Sequence, residues 1–395
     1  MSTSGGEVSG GMDLDALLGS GAAPFPKAKS AKFEPWHRPR KQYVRYNQWY
    51  AEVDYLARDV GVNDGELRYL TLPGDDFLDV RLFLTSLCEK RNLQLRYLGF
   101  NTAAQPMAEG QLELDSAQFS IKRMAHVNPQ SSVIQSDVRE VGDKRSMSWH
   151  SMRDAGPYHV INLDLCTAIA GPHTNTSIPN YFSALQNMLE YQAAEQQAFV
   201  LLITTRMDAG SVAEDAKAKL DHAVLSIHGG NDLYASSYAE CWDLTSVEPP
   251  LSVLSAVLSH EAFMLGVAQW IVYRGIDVGL KASVKSFMTY RTGDDRAGED
   301  ELVSFAIRFD PDPVVHHDPF HLAEPPASQV NAIEKVGLQS RLIPKRVKQR
   351  ILVDQVLGSD DALLEVCIAA SSTLLESAGY DVSQYREWVS GRRSA

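Results

Sequence analysis

The sequence has little cysteine and no long uninterrupted apolar run. Its four cysteines lie far apart and form no C-x-x-C pair: Cys88, Cys166, Cys241 and Cys367. This spacing argues against a disulfide framework and against a cysteine zinc site. The first residues, MSTSGGEVSGG, include no basic start followed by an apolar stretch, and the most apolar later stretch contains His260 and Glu261. We therefore expect a soluble cytoplasmic protein without a membrane partner.

Several well-known catalytic motifs are also missing. The chain has no G-x-x-x-x-G-K-[ST] loop, no G-x-S-x-G elbow and no H-E-x-x-H pair. The stretch VVHHDPFH brings three histidines together, and His317 and His321 have the spacing of one helical face. However, Pro313 and Pro319 disfavour a helix there. We interpret the stretch as a polar loop and expect no metal site.

Positive charge is scarce except in one segment. The formal net charge of −13 argues against wholesale coating of nucleic acid, which requires clustered lysine and arginine. Basic residues nevertheless concentrate between Pro26 and Tyr46, interleaved with aromatic residues. Four of them are the candidate nucleic-acid contacts: Arg38, Arg40, Lys41 and Arg45. Because cations contact phosphates and rings stack on bases, RNA or DNA is a candidate partner. The alternative is a charged leader followed by a helix whose rings pack on the core.

The pattern changes several times along the chain. Residues 1–30 are rich in Gly, Ser and Ala and predict a disordered tail, in which LDALL is a candidate docking motif for a protein partner. Residues 31–66 predict a basic and aromatic helix region. Four of its residues have the spacing of one helical face: Tyr43, Tyr46, Tyr50 and Val53. An α/β domain is predicted over residues 67–312, with a helical insertion at residues 213–280. A Pro-rich linker at residues 313–330 and a helical extension at residues 331–395 follow it.

Short apolar runs alternate with longer amphipathic segments across the α/β domain. Five runs predict parallel strands joined by crossover helices: LRYLTL, LQLRYLGF, SSVIQSD, HVINLDL and AFVLLITT. Two later runs predict an antiparallel hairpin: ASVKSFMTYR and ELVSFAIRFDP. After the linker, the stretch NAIEKVGLQSRLIPKRVKQRILVDQVL predicts helix. The sequence therefore predicts an α/β fold in which a parallel sheet is closed by a hairpin.

Such a sheet resembles the class I S-adenosylmethionine-dependent methyltransferase fold, over residues 43–311. The segment YHVINLDLCTAIAGPHTNTSIPNYFSALQNML, followed by AFVLLITTRMD, is similar to the fourth strand, catalytic turn, helix and fifth strand of RNA guanine-N2 methyltransferases. The resemblance places Asp164 in the catalytic loop, and Thr204 and Thr205 at the end of the next strand. It implies a Rossmann-like sheet, S-adenosylmethionine as the cofactor and a nucleic-acid substrate.

Polar residues follow the predicted strands at their carboxyl ends. In open parallel sheets ligands bind beyond these ends, where the strand order reverses. Four residues after the first strand form the candidate cofactor turn: Pro73, Gly74, Asp75 and Asp76. Asn101, after the second strand, would contact the ribose hydroxyls, and Asp137, after the third, would accept a hydrogen bond from the adenine amino group. Asp164 would orient the substrate amine for attack on the sulfonium methyl group.

Two features depart from the family pattern. The turn after the first strand, PGDDF, has one glycine where the family has two or three. The loop NLDLCTA lacks the prolines and the aromatic residue that base-methylating families place after the acid. These departures motivate a second hypothesis, a catalytically degenerate scaffold or binding subunit of a bacterial multi-gene system that handles foreign nucleic acid. A third hypothesis is a different, cationic ligand beside Asp75 and Asp76.

Overall fold

A computed structural model describes most of the chain in seven ranges. These are residues 32–62, 65–102, 111–165, 167–243, 259–293, 301–312 and 332–391. The predicted tail with LDALL, the Pro-rich linker and the three-histidine stretch lie outside the described residues.

Eight strands form one mixed sheet. They are β1 (Glu66–Thr71), β2 (Gln94–Phe100), β3 (Ser132–Ile134), β4 (Val160–Asp164), β5 (Phe199–Arg206), β6 (Leu280–Tyr290), β7 (Leu302–Pro311) and β8 (Ile351–Leu352). Their order is β3-β2-β1-β4-β5-β7-β6-β8. The first five are parallel, and β7 inserts antiparallel between β5 and β6. The α/β fold with a terminal hairpin is thereby confirmed.

Thirteen helices are described and are numbered here in chain order. The first two combine α- and π-helical turns: α1 (Pro39–Val44, Arg45–Tyr50 and Ala51–Asp59) and α2 (Leu78–Phe83, Leu84–Cys88 and Glu89–Arg91). Within the α/β domain are α3 (Gln111–Lys122), α4 (Met147–Ala155), α5 (Tyr181–Ala194), α6 (Glu214–Gly230), α7 (Asp232–Cys241) and α8 (Ser259–Asp277). The C-terminal region contains α9 (Ala332–Ser340), α10 (Ile343–Lys348), α11 (Val353–Ser359), α12 (Asp361–Ser377) and α13 (Val382–Ser390).

Helices cover both faces of the sheet, as a parallel sheet with two apolar faces requires. Side chains that alternate along β1 enter different clusters: Leu70 belongs to one and Tyr69 to the other. The Leu70 cluster includes residues of α4, α5, α6 and α8, among them Met152, Leu185, Leu220 and Met264. The Tyr69 cluster includes residues of α1, α2, α3 and α12, among them Trp49, Phe83, Leu114 and Cys367. No helix in the described ranges has the length and apolar content needed to cross a bilayer.

The residues with the spacing of one helical face on α1 differ in burial. Val53 is buried, but Tyr46 is 43% exposed and stacks on Tyr50 at the surface, with ring centroids 5.0 Å apart. Trp49 is fully buried instead, and its indole Nε1 donates to the Ser304 hydroxyl on β7. The π-helical turns at Arg45–Tyr50 have a longer period than the 3.6 residues assumed, so they shift the buried stripe.

The C-terminal stretch predicted as helix is interrupted. It forms α9, α10 and α11, with the two-residue strand β8 inserted parallel to β6. Pro344 stands in the first turn of α10, where its missing N–H costs no hydrogen bond. Farther on, α12 and α13 pack against α2, burying Leu78 and Leu82 beside Tyr385. The C-terminal extension thus lies next to the turn that follows β1.

Candidate active site

One cavity of about 600 Å³ opens at the carboxyl ends of β1, β2, β4 and β5. The chain runs outward from β1 through β2 to β3 and then returns to place β4 on the other side of β1, so the cavity lies where the strand order reverses. All seven residues predicted for the cofactor and for catalysis line it: Pro73, Gly74, Asp75, Asp76, Asn101, Asp137 and Asp164. Their convergence is a property of the fold, while their individual roles stay predictions.

The turn after β1 needs only one glycine, because its left-handed backbone conformation is adopted by Phe77 and not by a second glycine. Phe77 has φ 53° and ψ 37°, and its N–H donates to the Gly74 carbonyl at 3.0 Å. Its fully buried ring packs edge-on against Tyr97, which holds this unusual backbone conformation in place. A Cβ atom added at Gly74 would meet no atom within 4 Å. The turn therefore leaves open space above Gly74.

The two aspartates of the turn differ in environment. Asp75 is exposed, whereas Asp76 is only 6% exposed. The Asp76 carboxylate accepts a hydrogen bond from the Tyr380 hydroxyl at 2.7 Å and lies 3.3 Å from Nε2 of His37. Burial, and then the Asp76 charge, raise the pKa of Tyr380, which keeps this hydroxyl a donor. Asp76 thus joins the turn to both terminal segments.

A second buried carboxylate, Asp79, was missed by the sequence reasoning. It lies in the first turn of α2 and accepts hydrogen bonds from the hydroxyls of Tyr69, at 2.6 Å, and Thr71. Asn162 on β4 donates to the same Tyr69 hydroxyl at 2.9 Å. These bonds tie the end of β1 to α2 and to β4. An acidic residue in the apolar sequence FLDVRLF was the available signal.

Asn101, predicted to contact a ribose, makes a contact within the protein. Its Nδ2 donates to the Pro73 carbonyl at 2.8 Å and so fixes the β1 turn to the end of β2. Directly beneath lies Gly99 of β2, where an added Cβ would stand 2.8 Å from Cγ of Pro73 and 3.0 Å from Cγ2 of Val133. The position of the turn therefore depends on the absence of a side chain at Gly99.

Gly99→Ala is expected to lower the free energy of unfolding by about 1–3 kcal/mol, because the methyl group pushes Pro73 out of its packed position. The matched control is Gly74→Ala, which has open space and should leave stability unchanged or slightly raised. Chemical denaturation of both variants checks this pair. Equal stability of the two variants would contradict the tight packing of Pro73 on β2.

Asp137 forms a local ion pair with an arginine that the sequence reasoning also missed. It caps the short helix Val138–Gly142, and its two carboxylate oxygens face the Arg139 guanidinium, with an Nη2 to Oδ2 distance of 2.6 Å. The Arg139 guanidinium also lies 5.4 Å from the centre of the Tyr181 ring. Asp137 therefore lines the cavity, but Arg139 already occupies many of the hydrogen-bond acceptor sites of its carboxylate.

Asp164, at the end of β4, pairs with Lys41 from α1. The Lys41 ammonium lies 2.6 Å from Oδ1 of Asp164, donates to the Tyr290 hydroxyl at 3.1 Å and lies 4.5 Å from the Trp49 ring centre. Burial lowers the pKa of Lys41, but the charge and hydrogen bond of Asp164, together with Tyr290, raise it by more, so the net pKa is raised. The Lys41 side chain is 4% exposed and the Asp164 side chain is 29% exposed, so Asp164 is the more accessible of the two from the cavity.

The threonines at the end of β5 are buried below this pair. Thr204 donates to the Ser304 hydroxyl on β7, and the Thr205 hydroxyl accepts a hydrogen bond from the Ile169 amide in the loop after β4. The second contact holds that loop against the sheet. Thr204 also lines the cavity.

Two of the four basic residues predicted to contact nucleic acid line the same cavity. Lys41 and Arg45 are buried and line it. Arg40 donates to the Arg291 carbonyl and pairs with Asp354, and Arg38 lies over the Trp388 ring. Their use in nucleic-acid binding stays a prediction, and the positions of Lys41 and Arg45 favour a ligand inside the cavity over one on an outer surface.

The sheet order and the cavity at its switch point define a Rossmann-like α/β protein with a small-molecule-sized site. The chain belongs to the PP_RS20740-like family, whose model matches residues 30–390. The matched range includes α1, the whole sheet and the C-terminal helices, and the family description names no activity. No curated protein matches the chain.

Proposed function

We propose that the protein is an S-adenosylmethionine-dependent methyltransferase-like enzyme that acts on nucleic acid. The observation that supports this most is the convergence on one cavity of residues chosen from four strand ends: the candidate turn after β1, Asn101, Asp137 and the acid of β4. Five parallel strands closed by an antiparallel hairpin also agree with the resemblance to class I methyltransferases. Fold alone does not define an activity, so the proposal depends on the site.

The residues present suit a nucleoside with a zwitterionic tail. A volume of about 600 Å³ is within the usual range for small-molecule sites. The open space above Gly74 permits close approach to the backbone, and the exposed Asp75 offers a carboxylate to an ammonium group. Asp76 faces His37 and Tyr380, so its charge is compensated within the protein. We therefore assign the ligand contact to the exposed Asp75.

The acceptor side of the cavity carries rings and cations. Trp36, 44% exposed, and Tyr181 line the cavity and offer stacking surfaces to a base. A second cavity of about 350 Å³ shares Tyr181 and Arg206 with the first and is also lined by Arg139. Arginines at that position suit the phosphates next to a base held in the main cavity. This arrangement supports a nucleotide unit as the acceptor.

In this proposal Asp164 positions the acceptor amine. Bound S-adenosylmethionine supplies an activated methyl group on its sulfonium sulfur. Lys41 holds Oδ1 of Asp164 and fixes the carboxylate. Oδ2 then accepts an N–H of the amine, directs the nitrogen lone pair at the methyl carbon, and receives the proton that the amine loses after transfer.

A second candidate function is a binding subunit without methyl transfer. The observation that favours it is the ion pair between the Lys41 ammonium and Asp164. The ammonium already lies where the amine of a methyl-acceptor substrate would contact this carboxylate. In that case the cavity binds a ligand and the protein responds to it or presents it to a partner. The two candidates differ in whether labelled methyl groups are transferred.

Methyl transfer is tested by incubating the protein with methyl-labelled S-adenosylmethionine and separate pools of RNA and DNA. The wild-type protein is expected to label one pool, and Asp164→Asn to lower the rate by about 100-fold or more, because a positioned carboxylate contributes that much. S-adenosylhomocysteine affinity, measured at a temperature where the variant is folded, serves as the control for an intact cavity. Ligand binding without labelling of either pool would replace the first candidate with the second.

A further inference from the structure

Two cations of α1 are buried side by side at the cavity. Lys41 is 3% exposed and Arg45 is 5% exposed, and both line the cavity. They are four residues apart at the junction of α- and π-helical turns, a spacing that places them on one side of the helix. The paired cations lie at the end of the cavity formed by α1, beside Asp164.

The Arg45 guanidinium has fewer partners than its burial requires. In the described ranges it makes one hydrogen bond, from Nη1 to the Trp36 carbonyl at 3.1 Å, and no carboxylate lies within ion-pair distance. Its buried Nε has no hydrogen-bond partner there. A guanidinium has five N–H donors, and a buried cation without a counter-charge is costly. This unfavourable burial of the Arg45 guanidinium occurs at a position that lines the cavity.

Apart from the exposed Asp75, the acids that line the cavity have other partners. Asp164 holds Lys41, and Asp79 accepts the hydroxyls of Tyr69 and Thr71. Asp76 faces His37 and Tyr380. Burial lowers the pKa of Arg45, and the more distant charges of Asp164 and Asp79 oppose that shift only partly. Among the described residues, therefore, Arg45 has no acidic partner of its own, and an acceptor group of a bound ligand can fill that role.

We propose that Arg45, with Lys41 beside it, forms an oxyanion subsite that binds a carboxylate or phosphate of the cavity ligand. A planar guanidinium with free N–H groups matches the two oxygens of such a group. The proposal deepens the proposed function and rests on it for the ligand: in S-adenosylmethionine the oxyanion is the carboxylate of the methionine part. Asp75 then binds the ammonium group of that tail, and Arg45 binds its carboxylate.

The test compares S-adenosylhomocysteine with 5′-methylthioadenosine, which keeps the nucleoside but lacks the amino-acid tail. Calorimetric titration of Arg45→Met is expected to show a loss of about 10- to 100-fold in S-adenosylhomocysteine affinity, as expected for a charged hydrogen bond. Affinity for 5′-methylthioadenosine should stay within about twofold. The matched control, Arg58→Met, removes an arginine of α1 that is 58% exposed and should bind both ligands as the wild type does.

Stability separates a binding role from a structural one. If Arg45 serves a ligand, Arg45→Met without ligand should melt at the wild-type temperature or above it, because a buried unpaired charge is removed. A lower melting temperature together with equal loss of both nucleosides would overturn the proposal and assign Arg45 to holding the Trp36 carbonyl. Arg45→Lys, which keeps the charge, should bind S-adenosylhomocysteine with intermediate affinity.

A further measurement separates the subsite from the proposed function. If the wild-type protein binds neither nucleoside, the methyltransferase proposal fails, and the subsite is judged with inorganic phosphate and acetate. Its presence predicts a higher melting temperature in either salt than in sodium chloride of equal ionic strength, and no such difference in Arg45→Met. If only phosphate raises the melting temperature, the ligand carries a phosphate. If either salt raises the melting temperature of the wild-type protein and of Arg45→Met equally, the subsite is overturned.

Discussion

Asp164→Ala is expected to lower the free energy of unfolding by about 3 kcal/mol, because it leaves the Lys41 ammonium in the interior without its counter-charge. Lys41 is 4% exposed and has Asp164 at 2.6 Å, with only the Tyr290 hydroxyl as another hydrogen-bond acceptor in the described ranges. Chemical denaturation measures the loss. It should be accompanied by a fall in the pKa of Lys41, since burial lowers that pKa and the largest opposing contribution comes from Asp164.

The double variant Asp164→Ala with Lys41→Met should recover most of that stability, since the unpaired charge is gone and the methionine still packs on Trp49. Asp143→Ala is the matched control: Asp143 pairs with Arg145 at the surface, and its loss should not measurably change stability. If Asp164→Ala is no less stable than Asp143→Ala, the buried ion pair is not an important contact in solution.

Asp76→Ala is expected to destabilise the protein by about 3 kcal/mol and to loosen both terminal segments together. The Asp76 carboxylate is the common partner of His37 and Tyr380, and the adjoining Tyr385 hydroxyl donates to the His37 carbonyl at 2.8 Å. Limited proteolysis should therefore cut the variant near His37 and near Tyr380 at similar rates. Denaturation gives the size of the effect.

Two variants calibrate the effect of Asp76. Tyr380→Phe removes one hydrogen bond and should cost about 1 kcal/mol, since His37 still faces the carboxylate. Asp75→Ala removes the exposed neighbour and should leave stability unchanged, while it weakens binding of an ammonium-bearing ligand. If Asp76→Ala keeps full stability and loses only ligand affinity, Asp76 faces the ligand and the described contacts with the terminal segments are wrong.

The fold was largely predictable because each strand of the α/β domain carries a strong local signal. All seven predicted strands are present, whereas β8 has two residues and no pattern to reveal it. Which side chains of α1 are buried was not predictable from a 3.6-residue period, since a π-helical segment shifts that period. Local rules therefore served well where the backbone is regular.

The candidate site was predictable only as a set of positions. Strand ends must meet at the sheet edge, so Gly74, Asn101, Asp137 and Asp164 converge as the topology requires. Their partners were not predictable, because Lys41 is 123 residues from Asp164 and Tyr380 is 304 residues from Asp76. The sequence makes Lys41 and Arg45 candidate nucleic-acid contacts without showing that both are buried, and it does not show that Asp79 is buried.

Isothermal titration of the wild-type protein with S-adenosylmethionine and S-adenosylhomocysteine tests the central claim most directly. The account predicts saturable binding of both at one site, with dissociation constants in the micromolar range, on the order of −8 kcal/mol. Asp75→Ala should weaken both, because each carries the ammonium group that Asp75 is proposed to face. Absence of binding up to millimolar concentrations of either ligand would contradict the claim that this cavity is a cofactor site.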